Sequence, residues 1–178
     1  MASFFNEPMD VNHHEQHFYF LDTMERMIDF AFTHGTSQDA LEIRKLVFLE
    51  EQGFKTDWEA IDETAWCLVL YWNQKPIATA SFFPEDPETF HLRRVAVLQA
   101  FRHQKVGSYL LRFAETKIKD LGGRKVICFA QLDKVGFYEK NGYQVTRDGE
   151  VTYEENVPHL RMEKIIVKSR YSEPVKNR

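Results

Sequence analysis

The stretch that decides the fold reads Val95-Ala96-Val97-Leu98-Gln99-Ala100-Phe101-Arg102-His103-Gln104-Lys105-Val106-Gly107-Ser108-Tyr109-Leu110-Leu111. An apolar run passes through a short polar turn and continues directly into an amphipathic helix. The first backbone N–H groups of a helix have no partner inside it and lie at the positive end of the helix dipole, so they can hold an anion. The stretch therefore predicts a diphosphate-binding helix start.

The residues of this turn form the predicted anion site. They are Arg102, His103, Gln104, Lys105, Val106, Gly107 and Ser108. We expect them to bind mainly through backbone N–H groups, while Arg102 and Lys105 add positive charge. The alternative is a plain loop whose cations are simply solvated.

A second segment, about thirty residues further along, supplies a phenol near the end of a helix. It reads Phe137-Tyr138-Glu139-Lys140-Asn141-Gly142-Tyr143, where Asn-Gly is typical of a helix C-terminus. Together the two segments indicate a cofactor with a nucleotide tail that is held beside a proton donor. Tyr138 is the candidate donor.

Length and composition limit the class of protein. A chain of 178 residues with 43% hydrophobic residues suits one domain with a sizeable core. The net charge of −4 argues against a nucleic-acid partner, although one local basic pocket is compatible with it. Cys67 and Cys128 lie in apolar runs, which indicates buried thiols in a reducing compartment. Neither a signal peptide nor a membrane span is evident, so we expect a cytoplasmic protein.

The hydrophobic periodicity predicts one domain at residues 26–167, preceded by an extension at 1–25 and followed by a basic tail at 168–178. Strand and helix patterns follow the order βα, βββ, αβα, ββ. The predicted strands are Met27 to Phe32, Trp66 to Trp72, Pro76 to Phe83, Thr89 to Val97, Lys125 to Ala130, Tyr143 to Thr146 and His159 to Val167. Turn residues between the second, third and fourth strands predict an antiparallel meander.

This order and these motifs resemble the GNAT superfamily of acyl-CoA-dependent N-acetyltransferases. The cofactor loop of that family has the pattern Q/R-x-x-G-x-G/A, which Arg102-x-x-Lys105-x-Gly107 matches at both ends. Lysine replaces the first glycine, so Lys105 must either adopt a negative φ or bear the cost of a left-handed conformation. It also adds a cation close to the expected diphosphate.

The resemblance extends to a second motif, in which a polar residue at the end of the fifth strand precedes a tyrosine by seven positions. Gln131 and Tyr138 have that spacing, with glutamine in place of the usual asparagine. The likeness covers about residues 26 to 166 and includes features of small bacterial members with largely unassigned substrates. It implies an α+β GNAT fold, with a twisted, mostly antiparallel sheet of six to seven strands flanked by about four helices.

The resemblance also implies direct transfer of an acetyl group from acetyl-CoA to a primary amine of a small molecule or peptide. An alkylamine with a pKa of roughly 10.4 must lose a proton before it attacks, and the departing thiolate must gain one. Tyr138 is the general-acid candidate, the alternative being that its ring only closes the core. His91 is the candidate base, the alternatives being a hydrogen-bonded structural histidine or a chain of waters.

Further roles follow from position in the implied fold. Pantetheine is expected to pair like an added strand with the main chain of Val95, Ala96 and Val97, where a bulge leaves the fourth strand open. His91, Arg93, Val95 and Val97 share one side of that strand unless the bulge intervenes. Gln131 is expected to contact the cofactor through its amide.

The acidic, aromatic segment from Glu50 to Glu63 is expected to wall the acceptor side, with Glu51 and Asp62 binding a cationic amine unless they belong to a solvated face. His13, His14 and His17 do not form a recognised metal motif, so no metal is expected. A homodimer is left open. A non-catalytic acyl-CoA sensor or assembly subunit is the rival to an enzyme, and an unrelated α+β binding domain is the third possibility.

Overall fold

The computed structural model describes residues 27–166 of the chain. Within them lies one sheet of eight strands in the order β1-β2-β3-β4-β5-β8-β6, with β7 also paired to β8. The strands are β1 (Ile28–His34), β2 (Trp66–Trp72), β3 (Lys75–Pro84), β4 (Thr89–Val97), β5 (Lys125–Gln131), β6 (Gln144–Val145), β7 (Val151–Glu154) and β8 (Val157–Ile165). The helices are α1 (Gln38–Arg44), α2 (Val106–Asp120) and α3 (Val135–Lys140). The predicted α+β fold with a mostly antiparallel sheet is confirmed, with eight strands and three α-helices in residues 27–166 where six to seven strands and about four helices were expected.

The first four strands form the predicted antiparallel meander. Asn73 and Gln74 join β2 to β3 with φ values of 50° and 64°, which match the positive φ that a two-residue hairpin turn requires. Glu155 and Asn156 join β7 to β8 in the same way, with φ values of 45° and 71°. The strand β7 was missed in the sequence because it has only four residues, and Val151 and Tyr153 point their apolar side chains to solvent.

Alternate side chains of the central strands enter two cores on opposite faces of the sheet. On β2, Leu68 and Leu70 pack with α2, whereas Cys67 and Val69 pack with α1. This alternation follows from the two-residue period of a strand, and it makes the sheet the middle layer between helices. Both cysteines are buried and free, as the sequence predicted.

Either Thr36 or Ser37 could cap helix α1 from the sequence, and the structure shows Ser37, whose hydroxyl accepts a hydrogen bond from the Ala40 amide at 3.3 Å. It continues into a π-helical segment, Lys45–Glu51, which the sequence did not predict. Such wide turns are rare and frequently occur at functional sites. Here the segment carries Phe48 and Glu51 toward the open edge of β4.

The strands β4 and β5 form the only parallel pair within residues 27–166, and they separate after three residue pairs. The last of these pairs joins His91 to Ile127, although β4 continues to Val97 and β5 to Gln131. The sheet therefore opens into a wedge whose two sides present unpaired strand edges.

A bulge in β4 lies at the mouth of this wedge. Thr79 of β3 pairs with Ala96 and Ser81 pairs with Arg93, so Arg94 and Val95 together oppose a single residue of β3. The extra residue reverses the alternation of the strand. His91 and Val97 were expected to share one side unless a bulge intervened, and the bulge does lie between them, so the regular alternation that would place them on one side does not hold.

The predicted extension at residues 1–25 and tail at 168–178 lie outside the described residues, as do His13, His14 and His17. Among the helices that the structure describes, none combines the length and hydrophobicity needed to span a membrane.

Candidate active site

The wedge between β4 and β5 opens into a cavity of about 910 Å³. Twelve predicted site residues line it: Glu51, His91, Val95, Ala96, Val97, Arg102, His103, Lys105, Gly107, Ser108, Gln131 and Tyr138. The structure thus brings together the loop, the strand, the tyrosine and the histidine that were identified separately in the sequence. Gln104, Val106 and Asp62 were also predicted, but their side chains do not line the cavity.

Two of these three residues have local structural roles. The Gln104 side chain donates to the carbonyl of Ala100 at 2.9 Å, which steadies the turn. Val106 is 1% exposed and belongs to the core between α2 and the sheet. Only the backbone N–H groups of these residues therefore remain candidates for cofactor binding.

The backbone conformation of Lys105, which replaces the first glycine of the loop pattern, is defined at the start of α2. Lys105 is the N-cap residue and adopts the left-handed conformation, with φ 61° and ψ 4°. The loop thus keeps a conformation that suits glycine and bears its steric cost. The amides of Val106, Gly107 and Ser108 form the first turn, where no helical carbonyl is available to them.

Gly107 is required for close packing rather than for backbone freedom. A Cβ atom placed on it would lie 3.0 Å from Cζ of Phe137, which is closer than side-chain contacts normally come. The absence of a side chain lets α2 pack against α3 immediately beside Tyr138. The anion site and the phenol are therefore linked by direct packing.

Arg102 is engaged differently from the sequence prediction. Its two terminal nitrogens donate to the Glu51 carboxylate at 2.5 and 2.7 Å, and its Nε donates to the Val97 carbonyl at 2.9 Å. The hydrogen bonds from Arg102 lower the pKa of Glu51. The charge of Arg102 is therefore largely neutralised, and Glu51 is not available as a separate site for a cationic amine.

Other cations surround the same end of the cavity. Lys105, Lys134 and Lys140 line it, and Lys105 has no ion pair among residues 27–166. Gln131 reaches across the wedge, where its Nε2 donates to Oε1 of Gln52 at 2.8 Å. Several cations thus line this cavity in a protein that is acidic overall.

Tyr138 lies at the junction of the cavity and the core. It is 8% exposed, and its ring packs edge-on against Phe137 and Tyr143 at centroid distances of 5.1 and 5.5 Å. Burial raises the pKa of Tyr138 well above its ordinary value, so the phenol keeps its proton at neutral pH. A fixed, protonated hydroxyl beside the cavity can donate to a developing anion.

His91 lies on the opposite wall, between the rings of Phe83 and Phe129. Its Nδ1 is 3.1 Å from Oε1 of Glu85, which orients the imidazole. Burial lowers the pKa of His91, although the charge of Glu85 opposes this effect. The ring is therefore neutral near pH 7. With the Nδ1 proton directed to Glu85, Nε2 keeps a lone pair that can accept a proton.

The assignment of Asp62 to acceptor binding is not supported, because its side chain is fully buried and bound to Arg44. Two guanidinium nitrogens of Arg44 donate to its carboxylate at 2.9 and 3.0 Å, and the Glu59 amide donates at 2.9 Å. Burial alone would raise the pKa of Asp62, but these hydrogen bonds lower it. Arg44 also binds Asp57, at 2.7 Å. Asp62 therefore anchors the acceptor segment to α1.

A charged cluster on the acceptor side was missed in the sequence. Arg93 and Arg94 both contact Glu59, and Arg94 also contacts Glu154 at 2.6 Å. His159, which is 6% exposed, lies beside them, with its Nε2 4.0 Å from Glu154. Two adjacent arginines inside an apolar strand were the available signal, since a regular strand would direct them to opposite faces.

The matched family model, described as "Acetyltransferase (GNAT) domain", covers residues 36–166. The chain belongs to the GNAT acetyltransferase family. One GNAT relative, the Bacillus subtilis protein named uncharacterized N-acetyltransferase YjcF, is 32% identical over 130 residues, which cover 71% of this chain and 91% of YjcF. The chain is therefore an acyltransferase.

Solved structures with a similar fold agree with this assignment. Escherichia coli ElaA has a TM-score of 0.68 and 27% identity, over 78% of this chain and 99% of ElaA. A GNAT family acetyltransferase from Elizabethkingia anophelis, solved with acetyl-CoA bound, has a TM-score of 0.62 and 17% identity, over 79% of this chain and 99% of its own. The second likeness shows the shared fold.

Proposed function

We propose that the protein transfers an acetyl group from acetyl-CoA directly to a primary amine while both are bound. The observation that carries this proposal is the single cavity onto which the start of α2, Tyr138 and His91 all open. Cys67 and Cys128 are buried and do not line the cavity, so neither of them can act as an acyl carrier there. The amine must then attack the thioester itself.

The donor lies along the wedge in this proposal. The amides of Val106, Gly107 and Ser108 hold the diphosphate, and Lys105 adds charge beside it. The pantetheine arm follows the open edge of β4 at the bulge, where Val95 presents its main chain. The Val97 carbonyl already accepts one hydrogen bond from Nε of Arg102, so one of its two lone pairs is left for the pantetheine arm.

The two proton transfers fall to the residues on opposite walls. His91 accepts a proton from the acceptor ammonium at Nε2, which gives the neutral amine that attacks the thioester carbonyl. The nitrogen of the tetrahedral intermediate still carries an extra proton. As the intermediate collapses and the C–S bond breaks, the thiolate of CoA takes a proton from the hydroxyl of Tyr138, and the extra proton on nitrogen passes to the phenolate and restores it. His91 then returns its own proton to solvent. Hydrogen bonding between Glu85 and Nδ1 keeps His91 in the tautomer that this step needs.

The proposal is tested by measuring thiol release from acetyl-CoA with a panel of amines. Tyr138→Phe removes only the hydroxyl, and we expect it to lower kcat about a hundredfold with little change in acetyl-CoA affinity. Tyr143→Phe is the matched control, because Tyr143 is 2% exposed, packs on the same ring and does not line the cavity. It should leave kcat unchanged.

Equal loss of kcat in both variants would contradict the assignment of Tyr138. Tight binding of acetyl-CoA without thiol release for any amine would instead favour a non-catalytic acyl-CoA sensor.

A further inference from the structure

The acceptor side of the cavity contains two arginines that are much more buried than the carboxylates paired with them. The side chains of Arg93 and Arg94 are 12% and 9% exposed, whereas those of Glu59 and Glu154 are 54% and 41% exposed. The cations are thus fixed in the wall, while their counterions reach in from the rim. Water can solvate these carboxylates if they are displaced, but it cannot easily solvate the guanidinium groups.

The bulge in β4 is what brings both arginines to one site. Arg94 has φ 51°, an uncommon value for a residue other than glycine, and it occupies the extra position opposite β3. Without the bulge, consecutive side chains would point to opposite faces of the sheet. Strained backbone of this kind persists where the surrounding structure holds it, and it is concentrated at functional sites.

The cluster of Arg93, Arg94, Glu59 and Glu154 has more hydrogen-bond donors than acceptors that pair with them. Both oxygens of Glu59 accept from arginine, at 2.9 Å from Arg93 and 2.8 Å from Arg94. Oε1 of Glu154 accepts from Arg94, and Oε2 lies 4.0 Å from His159. In contrast, Nε of Arg94 is buried without a partner among the described residues. The cluster therefore lacks a hydrogen-bond acceptor, and an anion would supply one.

An acceptor held by acidic residues fits this arrangement poorly. Each carboxylate in the cluster already has a guanidinium partner, Glu51 is bound to Arg102, and Asp62 is buried against Arg44. A cationic ligand would meet carboxylates whose charge is already matched by arginines that cannot easily reach water. A carboxylate ligand has to displace Glu59, whose side chain is 54% exposed and can be solvated, and whose capping contact with the Asp62 backbone is then lost.

We infer that the acceptor carries a carboxylate in addition to its amine, and that this carboxylate binds Arg93 and Arg94 in place of Glu59. The substrate class is thus an amino acid or another amino-carboxylate. This inference rests on the proposed function, because it concerns the acceptor of the same acyl transfer. The amine lies toward His91, which precedes Arg93 by two residues on the same wall.

The experiment compares amines that differ only in a carboxylate: glycine with methylamine, β-alanine with ethylamine, and lysine with cadaverine. For at least one pair, we expect kcat/KM to be about tenfold or more higher for the carboxylate-bearing member. Arg93→Gln should remove this preference. Glu59→Gln should have the opposite effect, lowering KM several-fold more for the amino-carboxylate than for its decarboxylated partner.

Two matched variants control for loss of surface charge. Arg124 pairs with Glu88 and Glu150 pairs with Arg161, and none of these four residues lines the cavity. Arg124→Gln and Glu150→Gln should therefore leave the preference and both KM values as they are in the unsubstituted protein.

Failure of this inference is distinguishable from failure of the proposed function. Thiol release with equal kcat/KM within every pair, or a preference for the decarboxylated members, would overturn the inference and leave the transfer reaction standing. If no amine supports thiol release, the inference is tested by calorimetry of lysine and cadaverine binding to the CoA-loaded protein. Tighter binding of lysine than of cadaverine, lost in Arg93→Gln, supports the inference, and equal binding or none overturns it.

Discussion

Replacing Lys105 with glycine should stabilise the protein while it weakens binding of the donor. Lys105 has φ 61° and ψ 4°, a left-handed conformation that costs a residue with a Cβ about 1–2 kcal/mol. Glycine avoids this cost, but it loses about 0.5–1 kcal/mol through the greater freedom of the unfolded chain. The net gain in the free energy of unfolding is therefore about 0.5–1 kcal/mol.

The effect on binding has the opposite sign. Lys105 is exposed, lines the cavity and has no ion pair among residues 27–166, so its charge is available to the diphosphate. Loss of one exposed cation beside a dianion should cost about 1 kcal/mol, which is about fivefold in Kd. Glycine is the residue of the family pattern here, so the loop itself should keep its shape.

Lys105→Ala is the matched control, because it removes the same charge and keeps the Cβ. Urea denaturation should place Lys105→Gly about 1 kcal/mol above Lys105→Ala, and calorimetry with acetyl-CoA should show a similar Kd for both variants. If glycine proves no more stable than alanine, the left-handed conformation of Lys105 is wrong. If neither variant weakens donor binding, this loop does not hold the diphosphate.

Two further predictions concern titration and stability. Because burial lowers the pKa of His91, the acidic limb of the kcat/KM profile should lie below the ordinary histidine pKa of about 6.5. Glu85 raises the pKa of His91, so Glu85→Gln should move this limb to still lower pH. A limb that does not move would exclude His91 as the base. Asp62→Asn should lower the free energy of unfolding, measured in urea, by about 3 kcal/mol, because Arg44 stays buried after losing a charged partner. A decrease of less than about 1 kcal/mol would show that the ion pair contributes little to stability.

The sequence predicted well those features that depend on local pattern. The segment that leads into α2 consists of an apolar strand, a polar turn and an amphipathic helix. The strand and the helix each show their own hydrophobic period in the sequence. Tyr138 was identified for the same reason, since its helix ends at a recognisable Asn-Gly pair. The substitution at Lys105 was reduced to two conformational alternatives, one of which the structure shows.

Features that depend on contacts distant in the chain were predicted poorly. Asp62 was expected to bind a cationic amine or to belong to a solvated face, because nothing local in the sequence indicates that Arg44 reaches it from α1. Glu51 was likewise assigned to an amine before its pairing with Arg102, across 51 positions, was apparent. Charge runs give the number of charges but not their partners, and partners determine whether a carboxylate is available to a ligand.

The family resemblance predicted a bulge in β4, but nothing in the sequence predicted that its extra residue would be Arg94. A single extra residue at Arg94 reverses the facing of every later side chain on β4, so a strand period counted from His91 gives the wrong side for Val97. No glycine marks the position, since arginine itself adopts φ 51°. The acceptor cluster depends on this one residue.

The central claim is that the start of α2 holds a diphosphate and thereby directs a thioester to Tyr138. A crystal structure with bound acetyl-CoA tests it most directly. The account predicts diphosphate oxygens about 2.7–3.2 Å from the amides of Val106, Gly107 or Ser108, with the sulfur beside the Tyr138 hydroxyl. A diphosphate bound away from α2, or a phenol turned into the core away from the sulfur, would contradict it.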